Sequence, residues 1–210
     1  MRSPASQRNS EKIPRAAGAQ ARRAAILSAA LDEFSARGFA AARLDDVAKR
    51  AGVAKGTIYL HFRDKEALFQ EIVRAEIGPF IGLLERAPDA QVPVRALMER
   101  LMEAFVREVL TTRRRDILRL IITEGPRFPA LAEFYYREVV SRGAAAMRGL
   151  MRRAAERGEV PSDAVARFPQ LIVAPALLTV IWNSLFENLE PLDAAEMMRA
   201  HLDVVFGVKS

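Results

Sequence analysis

The chain has 210 residues, half of them hydrophobic, and no cysteine, so a core can form without staples, while disulfides, thiolate catalysis and cysteine metal sites are excluded. Its net charge of +6 is unevenly placed, because residues 1–63 hold 12 Lys/Arg against 5 Asp/Glu and so carry the whole basic excess. A local positive field of this kind attracts a phosphate backbone.

Residues 1–19 mix Arg2, Pro4, Arg8, Lys12, Pro14 and Arg15 with small polar residues and show no periodicity. They read as a disordered basic tail, with a minor-groove arm as the sharper alternative. From about Gln20 the set Ile26, Leu27, Ala30, Leu31 and Phe34 follows helical spacing and stops at Gly38, which suits the position past a last turn. Residues 44–62, LDDVAKRAGVAKGTIYLHF, then lay out two short helices and a glycine turn. Leu44, Val47 and Ala48 form one buried stripe and Val53, Ile58 and Phe62 a second. Gly52 lies where the helix must stop and the chain change direction, a position that often needs φ above zero. Lys55, Gly56, Thr57, Tyr59 and His61 are left pointing outward, an array suited to DNA.

Asp64 can cap a following helix through Leu68, Phe69, Ile72, Val73, Ile77 and Phe80, which Gly78-Pro79 should bend or end. Beyond Gln91 the pattern predicts helices at about 93–110, 113–124, 129–157, 163–188 and 193–206, and no strand. The expected fold class is all-α: a head of residues 20–66 with a three-helix helix-turn-helix, and a larger helical body, residues 67–210, for effector binding and dimerisation. The N-terminus has no apolar run after its basic residues, so no secretory signal is read. The longest apolar run, Leu171 to Trp182, contains Pro175 and Thr179 and falls short of the roughly 18 to 20 residues a membrane span requires. A soluble, cytoplasmic protein without a membrane partner is expected.

The stretch from Ile26 to Val73, ILSAALDEFSARGFAAARLDDVAKRAGVAKGTIYLHFRDKEALFQEIV, closely resembles the DNA-binding head of TetR-family transcriptional regulators. The exit at Gly38-Phe39, Ala51-Gly52-Val53, Gly56-Thr57-Ile58-Tyr59, His61-Phe62 and Lys65-Glu66-Ala67-Leu68 all match in register. Farther on, EGPRFPALAEFYYREVVSRG is similar to a segment of AefR-like members. The resemblance implies a recognition helix from about Lys55 to Phe62 in the major groove, Thr57 and Lys55 reading base edges, and Tyr59, His61 and Lys65 holding phosphates. Many members place Ser or Thr before the supporting helix, where this chain has Ala42-Arg43. The hydroxyl cap is therefore missing, although Arg43 can reach a phosphate by charge.

Neither His61 nor His201 has a carboxylate or histidine cluster at ligand spacing, and no nucleophile-base pair or phosphate-cradling loop is visible. Catalytic residues, metal ligands and cofactors are therefore not expected. In the body, Met98, Met102, Phe105, Ile121, Phe134, Tyr135 and Met147 are either core or the wall of an effector pocket, with Glu124, Trp182 and Asn183 as polar handles. The last two helices carry more apolar surface than one pair buries against itself, which implies a four-helix homodimer interface. Together these features predict a regulator, expected to be a repressor, released from a palindromic double-stranded operator by a small apolar or amphipathic effector. The alternative is an architectural or protein-partnered DNA-binding factor with no metabolite.

Overall fold

The computed structural model describes residues 15–87 and 92–207. Among them every regular element is helical. The first helix, α1 (Arg15–Ala41), begins earlier than the apolar pattern suggests. The expected tail of residues 1–19 otherwise lies outside the described residues. α2 (Leu44–Arg50) and α3 (Lys55–His61) are the two short helices of the 44–62 stretch. α4 (Lys65–Glu76) starts at Asp64, whose carboxylate accepts from the Ala67 amide, and α5 (Gly78–Arg86) follows after Ile77. The bend expected at Gly78-Pro79 is thus made one residue earlier, with Pro79 in the first turn of α5, where its missing amide costs nothing.

The body continues with α6 (Val94–Phe105), extended by a π-helical turn at Val106–Leu110. α7 (Arg115–Glu124) precedes α8 (Pro129–Tyr135), which a second π turn, Tyr136–Val140, joins to α9 (Ser141–Glu156). The helix expected at 163–188 is two: α10 (Ala164–Arg167) and α11 (Gln170–Phe186). Pro169 disfavours helical geometry at the residue before it, and Phe168 there takes φ −122 and ψ 76. Pro175 is accommodated inside α11. α12 (Ala194–Phe206) closes the described chain, capped by Asp193. Not every cap is local. Pro93 supplies no side-chain cap to α6, and Glu159 beyond α9 accepts from the Val94 amide instead, at 2.6 Å.

The head packs on Phe34, Phe39, Val47, Ala48, Ile58 and Phe69, all nearly solvent-free. Phe34, Phe39 and Phe69 contact one another with centroids 5.3 to 6.3 Å apart, and Phe39 meets Phe128 of the body at 5.0 Å. Such ring pairs each add about 0.5–1.5 kcal/mol beyond the area they bury. Around them, Arg113 donates to Ser28 and pairs with Asp32 of α1, while Arg114 pairs with Glu76 at 2.8 Å. The same helix α4 sends Leu68 and Phe69 into the core shared with the head and Ile72 and Val73 onward.

Gly38 makes this junction possible. Its φ of +73 and ψ of 162 kink α1, ending its long regular part before a last short turn, and Phe39 just beyond is buried. That region is almost closed to residues with a Cβ, and a Cβ built there would lie 2.8 Å from Glu124 Oε1. Gly38→Ala should therefore lower unfolding free energy by about 1–3 kcal/mol, measured as a fall in urea midpoint with an unchanged m-value.

Candidate nucleic-acid interface

The face built by α2 and α3 is fixed from below. Leu44, Val47 and Ala48 of α2 and Ile58 and Phe62 at the α3 end are buried, with Val53 half-buried between them. The turn closes through Gly52 N–H to Lys49 O and Val53 N–H to Ala48 O, with Gly52 at φ +67. Glu33 of α1, only 2% exposed, anchors the end of α2 through Arg50 at 3.2 Å and also holds Arg37 at 3.0 Å. A carboxylate this deep is stable only because two guanidiniums face it. Sequence periodicity places Glu33 among apolar neighbours and gives no sign of that role.

With the apolar stripe seated, Lys55, Gly56, Tyr59 and His61 are exposed and Thr57 is half-buried. Arg43 is also exposed at the start of α2, and its side chain makes no capping hydrogen bond. Asp45 and Asp46 occupy the first turn, where the helix dipole favours negative charge. The structure thus leaves Arg43, Lys55, Gly56, Tyr59 and His61 exposed and Thr57 half-buried around the seated stripe.

Two of them are not free-standing. Lys55 Nζ lies 2.7 Å from Asp45 Oδ2, and the Tyr59 hydroxyl donates to Asp45 Oδ1 at 3.2 Å. Lys55 also sits 5.8 Å from the Tyr59 ring centroid. The hydrogen bond to Lys55 holds the Asp45 carboxyl below its ordinary range, and the same bond pushes the Lys55 ammonium up. Lys65, the first residue of α4, is half-buried. Its Nζ donates to Phe39 O at 2.7 Å and Ala40 O at 2.8 Å, 4.8 Å from the Phe39 ring centroid. It closes the carbonyl end of α1, and one of its three N–H groups remains for another acceptor.

The body candidates are dispersed. Met98, Phe134, Tyr135 and Met147 are core residues, and burial pushes the Tyr135 phenol well up. Phe105 packs on Phe80 at 5.1 Å, and Ile121 is half-buried against the core. Glu124 lies beneath Gly38. Trp182 Nε1 donates to Glu190 O, while Asn183 exchanges two hydrogen bonds with the Leu192 backbone, so both secure the segment before α12. A cleft of about 420 Å³ opens between α6 and α12, with Met102, Val106, Met198 and Leu202 as floor and Arg95, Glu99, Glu103, Arg199 and Asp203 at the rim. A second, of about 300 Å³, lies between α7 and α11 and includes Asn183, Arg115 and Arg119. Of the ten candidates only Met102 and Asn183 line these spaces. Periodicity separates buried from exposed positions but carries no information about the volume between helices.

Comparison with known proteins supports both halves of the fold. The model for bacterial regulatory proteins of the tetR family matches residues 26–72, and the tetracyclin repressor-like C-terminal domain matches residues 87–203. The HTH-type transcriptional regulator AcrR of Shigella flexneri is 39% identical over 106 residues, 49% of either chain. SrpR of Pseudomonas putida is 27% identical over 146 residues, covering 70% of this chain and 67% of that one. The chain spans about half the length of the curated relatives it matches first, 49% for AcrR and 40% for RutR of Escherichia coli. The solved SmeT-triclosan complex superposes with a TM-score of 0.72 at 24% identity, covering 88% of this chain and 90% of SmeT. FadR of Bacillus subtilis in complex with stearoyl-CoA gives 0.68 at 20%, covering 89% and 99%. At those identities the likeness is one of fold.

Asp45→Asn removes the carboxylate that holds Lys55. The Lys55 ammonium should then titrate at lower pH than in the unaltered protein, observable by NMR on its side-chain carbon and nitrogen; an unchanged titration would mean that the pair does not form in solution.

Proposed function

The chain belongs to the TetR family of bacterial regulatory proteins, its two halves matching the family's head and body models, and from that premise we propose that it is a sequence-specific DNA-binding transcriptional repressor, released by a small molecule. The observation that carries this reading is the outward face of α3. Thr57, Tyr59, His61 and Lys55 stand exposed or half-exposed above a stripe whose Ile58 is completely buried. This is a rigid helix presenting polar groups at groove depth. In the proposed division, residues 20–66 are the DNA-binding head and 67–210 the effector and dimerisation body. Thr57 and Lys55 contact base edges next to Gly56, while Arg43, Tyr59, His61 and Lys65 position the head on phosphates. Lys55 exchanges Asp45 for DNA at small cost, since an ion pair this exposed is weakened by the surrounding water and salt.

A palindromic operator requires two heads. Leu171, Val173, Leu177, Leu178, Ile181, Leu185 and Phe186 of α11 are all more than a third exposed. Among the described residues no other helix leaves so continuous an apolar face, which supports a two-fold dimer through α11 and α12. Two such heads meet successive major grooves about 34–36 Å apart. The amphipathic cleft between α6 and α12, apolar below and charged at its rim, supports the small-molecule part of the proposal. So do the ligands named for the fold neighbours, triclosan with SmeT and stearoyl-CoA with FadR. An effector acts by favouring the arrangement in which the two heads no longer fit adjacent grooves. No helix of the described residues is long and apolar enough to cross a membrane.

Fluorescence anisotropy with the full chain, its own upstream DNA and a scrambled duplex tests the reading. Preference for the upstream duplex that small amphipathic compounds abolish is expected; specific binding indifferent to every compound would move weight to a protein-partnered factor. Thr57→Ala should relax sequence preference. Lys65→Ala should weaken all duplexes alike, flatten the salt slope by about one, and cost about 1.5–3 kcal/mol of stability through the lost charged hydrogen bonds to α1. A change in sequence preference with Lys65→Ala would reverse the assigned roles.

The dimer is tested separately. Leu178→Glu places a charge in the α11 face, so light scattering should report half the mass of the unaltered protein and binding to a palindromic duplex should fall at least tenfold. Dimeric mass retained by this variant and by Leu185→Glu would exclude that face.

A further inference from the structure

Leu60 is 85% exposed, the highest value among the large apolar side chains described. It belongs to α3, and with 3.6 residues per turn it lies about 180° around the helix from the stripe that Ile58 and Phe62 bury. One turn before it on that outer face is Gly56, around which a Cβ would meet nothing within 4 Å. The most prominent point of the helix is therefore an isobutyl group rising beside a flat spot.

The polar groups on its flanks stand back. Lys55 and Tyr59 are drawn toward Asp45 on one side, and Thr57 is half-buried on the other. A single leucine between the exposed Tyr59 and His61 is far too small an apolar patch to seat a protein partner. In a major groove, however, one surface matches it in size and chemistry: the C5 methyl of thymine, the only apolar group a base pair presents there.

Resting on the DNA-binding reading above, we propose that Leu60 reads a thymine methyl in each half-site and so determines specificity alongside Thr57. The contact removes apolar surface from water on both partners and needs no hydrogen bond. It discriminates thymine from cytosine, which carries no methyl at that position and offers an amino group instead. Leu60 adds nothing to phosphate binding, so its contribution is independent of salt.

The test begins with selection of duplexes from a randomised library by the full-length protein. Each thymine of the selected half-site is then replaced by deoxyuridine, which keeps the pairing edges and lacks the methyl. At one position per half-site deoxyuridine should weaken the unaltered protein about 3- to 10-fold, the scale of one or two buried carbon groups. Leu60→Ala should lose a similar factor on the thymine duplex, with an unchanged salt slope, and should be indifferent to deoxyuridine at that position. As the side chain is exposed, the substitution leaves the core intact, and Leu60→Met should retain most of the discrimination.

The proposal fails if the unaltered protein ignores deoxyuridine at every position, or if Leu60→Ala pays the same penalty as the unaltered protein. Selection of no sequence at all would defeat the DNA-binding reading itself, and the role of Leu60 with it.

Discussion

Everything the head does depends on where Phe39 goes. Its ring touches Phe34 within α1, Phe69 on α4 and Phe128 in the body, so one side chain joins three elements that are far apart in the chain. It reaches that place because Gly38 adopts a backbone conformation that other residues avoid. Lys65 then covers the carbonyls of Phe39 and Ala40. The recognition face is held indirectly: α1 fixes α2 through Glu33 and Arg50, and α2 fixes α3 through the Gly52 turn.

The same cluster makes the head a poor candidate for an independent lobe. Arg113 and Arg114, at the entrance of α7, grip α1 and α4 respectively, and Glu124 at the far end of α7 lies against Gly38. A shift of α7 is therefore felt both in the middle of α1 and near its C-terminal end. Packed interiors move between discrete arrangements and do not stretch, so a ligand that displaced a body helix would reorient the head as a unit, provided that it bound one arrangement better than the other.

The helix-turn-helix was legible because both its helices bury one narrow stripe, and burial on one face writes a period into the residues. Leu44, Val47, Ala48, Ile58 and Phe62 are all buried as that period predicts, and Gly52 has the positive φ that a turn there demands. What could not be read depends on atoms brought together from elsewhere. The pairing of Lys55 with Asp45 spans 10 residues and that of Lys65 with Phe39 spans 26. The break at Phe168-Pro169 has a local cause, yet apolar residues on either side conceal it. In the body, methionines and aromatics satisfy core and pocket alike, and only the folded arrangement places Met98 in one and Met102 in the other. Leu60 carries no mark in the sequence for a simpler reason: in a helix with a buried apolar stripe, one more leucine does not differ by type from those of the core.

The Asp45 carboxylate gives the recognition face a built-in rival for its own lysine. Mobile anions are diluted or concentrated with the medium, whereas Asp45 belongs to the same head and stands 2.7 Å from Lys55. On the proposed reading, a duplex contacts Lys55 only by displacing Asp45. Random sequences, offering only phosphate, gain little from the exchange, while a site that also satisfies Thr57 and its neighbours recovers the difference. Discrimination is a difference between affinities, so a cost common to every duplex leaves it unchanged and shortens the stay on all of them, the sequences that offer phosphate alone included. On the proposed reading, an acidic residue in a basic face keeps that face from resting long on any sequence it does not fit.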